Sequence, residues 1–239
     1  MSRLKTFLLA FAAAMVALPS MAQGVVVFKK DGTRVVYPYE AIDSIVTYNY
    51  DETPPTGGGS VNDGQNKVFT VNGVSFKMIA VKGGTFTMGA TSEQTGAESD
   101  ESPTHSVTLS DYYIGETEVT QELWSAVMGS NPSEFPGNMQ RPVEMVSWND
   151  SQTFISRLNE LTGETFRLPT EAQWEYAARG GNKAQGRLYS GSDAIDDVAW
   201  YYDNSGGMTH PVKTKAPNEL GIYDMTGNVY EWCSDWYGS

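Results

Sequence analysis

The sequence predicts an α+β domain unusually rich in irregular structure, preceded by a small β unit. Three segments carry apolar residues at helical spacing, each opened by a capping residue and closed by glycine. Between them lie only short strand candidates, and the remaining chain is dense in Gly, Asn, Asp and Ser, the residues of turns and loops.

In chain order, residues 1–22 read as a secretory signal. Arg3 and Lys5 make a positive start, residues 7–18 are apolar but short for a bilayer, and Ser20-Met21-Ala22 offers the small residues of a cleavage site. Export to the periplasm, cell surface or medium is expected, and no cysteine follows the cut to take a lipid. Residues 24–50 form the small β unit. Val25-Val26-Val27-Phe28 and Val35-Val36-Tyr37 flank Asp31-Gly32, a hairpin signal, and a further strand is expected at 44–48. The unit resembles the small modules that precede other domains in exported proteins of Bacteroidetes-type bacteria. Residues 51–67, with Thr53-Pro54-Pro55-Thr56-Gly57-Gly58-Gly59-Ser60, read as a linker.

The main domain, 68–239, offers strands at 77–81, 85–88 and 107–109. Thr120 caps a first helix with Leu123, Trp124, Val127 and Met128 on one face, and Gly129 stops it. Ser147 or Asn149 opens a second, with Phe154, Ile155, Leu158 and Leu161 inward and Gly163 at its end. Thr170 and Gln173 make a capping box for a third, Pro169 cannot sit inside it, and Gly180-Gly181 ends it. With so little regular structure, Trp124, Trp148, Trp174, Trp200, Trp232 and Trp236 are expected to act as packing anchors; sugar binding requires several of them exposed.

Composition narrows the partners. Sixteen Lys+Arg face 29 Asp+Glu, a formal net charge of −13, which disfavours nucleic acid and anionic lipid. No later apolar stretch is long enough for a membrane helix, so no membrane insertion is expected. Cys233 is the only cysteine, so no internal disulfide forms and the core alone holds the fold. His105 and His210 are the only histidines, at no ligand spacing, and both read as structural.

Ordered motifs run through the main domain. Residues 83–89 are Gly-Gly-Thr-Phe-Thr-Met-Gly and 103–107 are Pro-Thr-His-Ser-Val. Glu118-Val119-Thr120-Gln121, Asn131-Pro132-Ser133, Arg141-Pro142-Val143 and Val146-Ser147-Trp148 follow. Residues 167–181 (Arg-Leu-Pro-Thr-Glu-Ala-Gln-Trp-Glu-Tyr-Ala-Ala-Arg-Gly-Gly) come next, then Asn218 and 221–232 (Gly-Ile-Tyr-Asp-Met-Thr-Gly-Asn-Val-Tyr-Glu-Trp) with Trp236-Tyr237. So many motifs in one order exceed chance for any short pattern. The domain resembles the formylglycine-generating (sulfatase-modifying factor) family. That resemblance implies the family's α+β fold, related to C-type lectin domains and poor in secondary structure.

The one candidate ion site readable from the residues is the 224–231 loop. Asp224 and Glu231 flank Gly227-Asn228, a pair that bends the backbone and exposes carbonyl oxygens, which suits calcium. From spacing alone, a turn capped by Asp224 with Glu231 paired to an arginine fits equally. By resemblance, calcium is held by the side chains of Asp224 and Glu231 and the main-chain oxygens of Gly227 and Val229. A second calcium site known in some members does not map onto the 200–210 region.

In the oxidase branch of the resembled family, two cysteines near the C-terminus hold copper(I), whose softness suits thiolates. They follow an Arg-Gly-Gly-Ser-Trp-like strand not found in this sequence, so the domain is expected to lack the family's C-terminal section. Cys233 is expected as a small buried residue without a catalytic role, and no catalytic residue is assigned. Two functions are then expected: an exported oxidase of a sulfatase peptide, if a further section supplies the copper cysteines, or a non-catalytic lectin-like module binding a protein or glycan. The 239-residue chain itself is expected to be inactive as an oxidase.

Overall fold

The computed structural model describes residues 24–28, 34–38, 64–90 and 101–236. The chain divides into two compact units, Met1–Pro55 and Thr56–Ser239. In the first, β1 (Gly24–Phe28) pairs antiparallel with β2 (Arg34–Pro38), from Gly24 opposite Pro38 to Phe28 opposite Arg34. These are the two predicted hairpin strands. The Asp31-Gly32 turn and the strand expected at 44–48 lie outside the described residues.

The second unit opens on a hairpin of β3 (Lys67–Val71) and β4 (Val74–Val81), and β7 (Tyr112–Gly115) pairs with the other edge of β4. Asn72 and Gly73 turn the hairpin with φ of 49° and 85°, the doubly left-handed turn that matches strand twist. A separate two-stranded sheet joins β5 (Gly84–Met88) to β6 (His105–Leu109). The expected strands at 77–81, 85–88 and 107–109 thus exist and are longer. β3 and β7 were not anticipated.

All three expected helices form with the expected caps. In α1 (Gln121–Met128) the Thr120 hydroxyl accepts the Leu123 amide at 3.2 Å, and Gly129 stops the helix at φ 81°. α2 (Trp148–Thr162) starts on a Ser147–Asp150 capping box and ends at Gly163, φ 73°. α3 (Glu171–Ala178) carries the Thr170–Gln173 box and ends on Arg179, before Gly180 at φ 91°. A short α4 (Ile195–Val198) follows. Beyond it the described backbone has no helix or strand.

Two apolar clusters hold the unit together. In one, α1 and α2 close on β3 through Leu123, Trp124, Val127, Phe154, Leu158, Val143 and Val71. Trp124 and Phe154 stack there with centroids 4.9 Å apart. In the other, Tyr176 and Ala177 of α3 pack on Ile79 and Val81 of β4 and on Leu220, Ile222 and Met225 of the terminal loops. Leu161, expected inward, is 51% exposed. α2 runs about 22 Å over fifteen residues against about 12 Å over eight for α1, and Leu161 lies in its last turn.

Side-chain hydrogen bonds replace secondary structure in the terminal loops. Asn218, 5% exposed, donates to the Ala177 carbonyl at 2.8 Å and accepts from the Leu220 and Ile222 amides at 3.0 and 3.2 Å. One amide side chain thereby ties the loop to the end of α3, where a turn of helix would otherwise satisfy those backbone groups.

Candidate functional site

The loop 224–231 is assembled by backbone strain and distant partners. Asp224 and Asn228 both have φ of 61°, and Gly227 lies at φ 94°. A Cβ on Gly227 would meet the Trp200 carbonyl oxygen at 2.3 Å, so only glycine fits where the two segments touch. The Asn228 amide donates to that same carbonyl at 2.8 Å. Buried Asp224 accepts the Lys213 amide at 2.8 Å, which ties the loop to the segment eleven residues before it.

A third carboxylate joins the two named from sequence. Glu118, 7% exposed, accepts the Val229 amide through Oε1 at 3.2 Å and the Asn228 side-chain amide through Oε2 at 2.8 Å. Burial first, then Glu231 and Asp224, push its carboxyl well above the usual range. Burial likewise raises Asp224, against the opposing pull of the Lys213 amide. Glu231 keeps part of its side chain in solvent, yet protein crowds its carboxyl enough that lost hydration raises it to about 7. The Trp174 indole N–H beside it opposes that rise, and Asp224 adds to it.

The oxygens of this loop are of the hard kind that calcium accepts. Among the described residues none of the three carboxylates forms an ion pair, so the predicted alternative of Glu231 held by an arginine is absent there. No three His, Cys, Asp or Glu side chains converge as a ready cage in the described residues. Main-chain oxygens must therefore complete any site, and calcium accepts such mixed oxygen sets. Asp224 and Glu231 with the carbonyls of Gly227 and Val229 would hold it. When bound, the ion supplies positive charge to a group of carboxylates that otherwise raise one another.

Beside the loop opens a cleft of about 970 Å³. Its walls include Trp148, Trp174, Trp200, Trp232 and Trp236, with the carboxylates of Glu171, Asp224, Glu231 and Asp235 and, among the described residues, no lysine or arginine. The expectation that the tryptophans pack holds for Trp124, which is buried, and in part for the half-buried Trp148, Trp174 and Trp200. It fails for Trp232 and Trp236, 49% and 93% exposed. The Trp232 indole donates to the Val146 carbonyl at 3.0 Å, so its polar edge is tethered while the ring keeps solvent contact. Trp200 is covered instead, stacked on His210 at 3.8 Å with the Lys215 ammonium 4.2 Å from its ring.

Cys233 is half-buried in this wall rather than fully buried. Burial, with Asp235, Glu171 and Glu231 around it, pushes the thiol up to about 12. Copper(I) needs thiolates, and one protonated thiol does not fit it. His210 shares the region, but its Nε2 lies 2.8 Å from the Ser205 carbonyl, while His105 sits on β6.

Likeness to known proteins follows the same segment. Residues 66–239 match the sulfatase-modifying factor enzyme 1-like domain. The chain is 39% identical over 215 residues to chaperone protein LppX of Paenibacillus barcinonensis, covering 69% of this chain and 73% of that one. It is 29% identical over 223 residues to the formylglycine-generating enzyme of Streptomyces coelicolor, covering 66% and 68%. Among solved structures, Treponema denticola variable protein 1 superimposes with a TM-score of 0.63 at 35% identity, over 72% of this chain and 77% of that one. PvdO from Pseudomonas aeruginosa gives 0.60 at 30% identity, over 72% and 75%. No helix among the described residues is long and apolar enough to cross a membrane. From residue 66 onward, then, the chain belongs to the sulfatase-modifying factor family and has its fold.

Proposed function

We propose that this chain is a recognition module on the family scaffold, with the 224–231 loop held by calcium and the adjoining cleft receiving an extended polypeptide that bears arginine or lysine. The observation that carries the reading is the cleft wall, where the exposed indoles of Trp232 and Trp236 share one lining with the carboxylates of Asp224, Glu231 and Asp235. Flat aromatic rings beside carboxylates favour a guanidinium or ammonium through cation–π and charge-assisted contacts together. The alternative, an oxidase of a sulfatase cysteine, has support in the likeness to formylglycine-generating enzymes. It requires paired thiolates, and with one cysteine in residues 1–239 that reading needs a further section to bring the pair.

The test uses the whole chain in calcium, reading tryptophan fluorescence during titration with an arginine-bearing peptide, its citrulline counterpart and neutral oligosaccharides. Saturable quenching by the arginine peptide, weakened by salt and absent with citrulline, is expected. Response to the oligosaccharides alone, or to none of the three, overturns the polypeptide reading. In parallel, a Cys-x-Pro-x-Arg peptide incubated with copper, oxygen and a thiol reductant should yield no aldehyde. Aldehyde formation would place the chain among the oxidases.

A further inference from the structure

We propose that Glu118 is the positioning residue of the calcium loop, aiming the main-chain oxygens of Gly227 and Val229 without itself binding the ion. The inference rests on the calcium reading of residues 224–231.

Glu118 sits on backbone anchored independently of the loop. It lies between β7 and the cap of α1, and the neighbouring backbone is pinned by Val143 donating to Val119 at 2.9 Å and Gln121 to Arg141 at 2.9 Å. From that anchored point, both carboxylate oxygens reach a segment 110 and 111 residues away. One takes the Val229 amide, the other the Asn228 side chain. Asn228 stands between the two proposed main-chain ligands. Its remaining groups are engaged too: Oδ1 accepts the His210 amide at 2.9 Å, Nδ2 also reaches the His210 carbonyl at 3.2 Å, and the main-chain N–H goes to Trp200.

The chemistry of that clamp requires a carboxylate. Two donors converge on residue 118, and a glutamate has an acceptor for each. Glutamine has one acceptor and would turn its NH2 against the other donor. A buried carboxylate near two more is costly to keep for fold alone. It is economical where a bound cation lies among them and where the angle of two carbonyls matters. Groups that orient metal ligands without touching the metal have large effects on affinity.

The experiment measures calcium affinity by calorimetry on the full chain, native against Glu118→Gln and, from the other side of the clamp, Asn228→Ala. Amide exchange at Val229 and His210 is followed in the same samples. Both variants are expected to bind calcium about 10- to 100-fold more weakly, with faster exchange at those amides and an unchanged near-ultraviolet spectrum. A role confined to the fold would lower the melting temperature equally with and without calcium and leave affinity alone. Native affinity in both variants therefore overturns the proposal. Absence of calcium binding in the native chain overturns the loop reading itself, and this inference with it, and is told apart by the native titration.

Discussion

Glu116 stands between two lysines, with Nζ of Lys77 at 2.8 Å on one oxygen and Nζ of Lys213 at 2.7 Å on the other. Burial pushes its carboxyl up, but the two ammonium groups outweigh burial and hold it below its ordinary value of 4.5. A carboxylate depressed by folding contributes stability above its unfolded value and loses it as pH falls through the folded one. Glu116→Gln should therefore cost on the order of 1 kcal/mol at neutral pH, and the gap should close below about pH 4.5 as the native carboxylate protonates. Parallel denaturant titrations at pH 7, 5 and 3.5 check this; a gap that widens on acidification refutes it. At this scale the sequence is only partly readable. Asp224 and Glu231 can be grouped around Gly227-Asn228 because they lie within eight positions of one another, while the main-chain oxygens of Gly227 and Val229 are named only through the resemblance. Glu118, quoted within a motif, has its partners more than a hundred positions away, and no spacing rule connects them.

Elements are more legible, because caps and stops are local chemistry. The Ser147–Asp150 box is complete in the structure: the Ser147 hydroxyl accepts the Asp150 amide at 3.2 Å, and Asp150 accepts the Ser147 amide at 2.9 Å. Replacing Ser147 by alanine leaves that first-turn amide without its partner and should lower stability by about 1 kcal/mol. Glycine at the same position should cost only a few tenths. Equal losses for the two would show that the hydroxyl's bond is not what matters. All three long helices could be placed from such signals. β3 was missed although Asn72-Gly73 between Val71 and Val74 is a hairpin signal of the same kind as Asp31-Gly32. β7 had no comparable sign: four half-buried residues without strict alternation become a strand only because the edge of β4 accepts them. Leu161 shows the reverse error, since periodicity fixes a helix face but not how far the opposing element extends.

For the unit spanning Thr56–Ser239, the main consequence of this architecture is that its terminal loops are held by side-chain hydrogen bonds and apolar packing rather than by helices and strands. Leu220, Ile222 and Met225 belong to the second core cluster, so the loop that carries Asp224 and Glu231 is also part of the hydrophobic interior. An ion bound there only in the folded state must then stabilise the unit as a whole by mass action, roughly 2.7 kcal/mol at a hundredfold excess over the dissociation constant. Melting temperature in calcium should exceed that in chelator for the native chain. In the Asp224→Ala, Glu231→Ala double variant the difference should vanish, while far-ultraviolet dichroism still reports α1, α2 and α3. Removing the carboxylates also relieves repulsion around Glu118, so in chelator the variant should melt no lower than expected from the lost Lys213 contact alone. That asymmetry separates an ion site from a capped turn. A capped turn loses stability in both buffers when Asp224 is removed, whereas an ion site loses most of it only where calcium is present. If the native chain melts identically in the two buffers, Asp224 is a turn cap and the loop holds no ion.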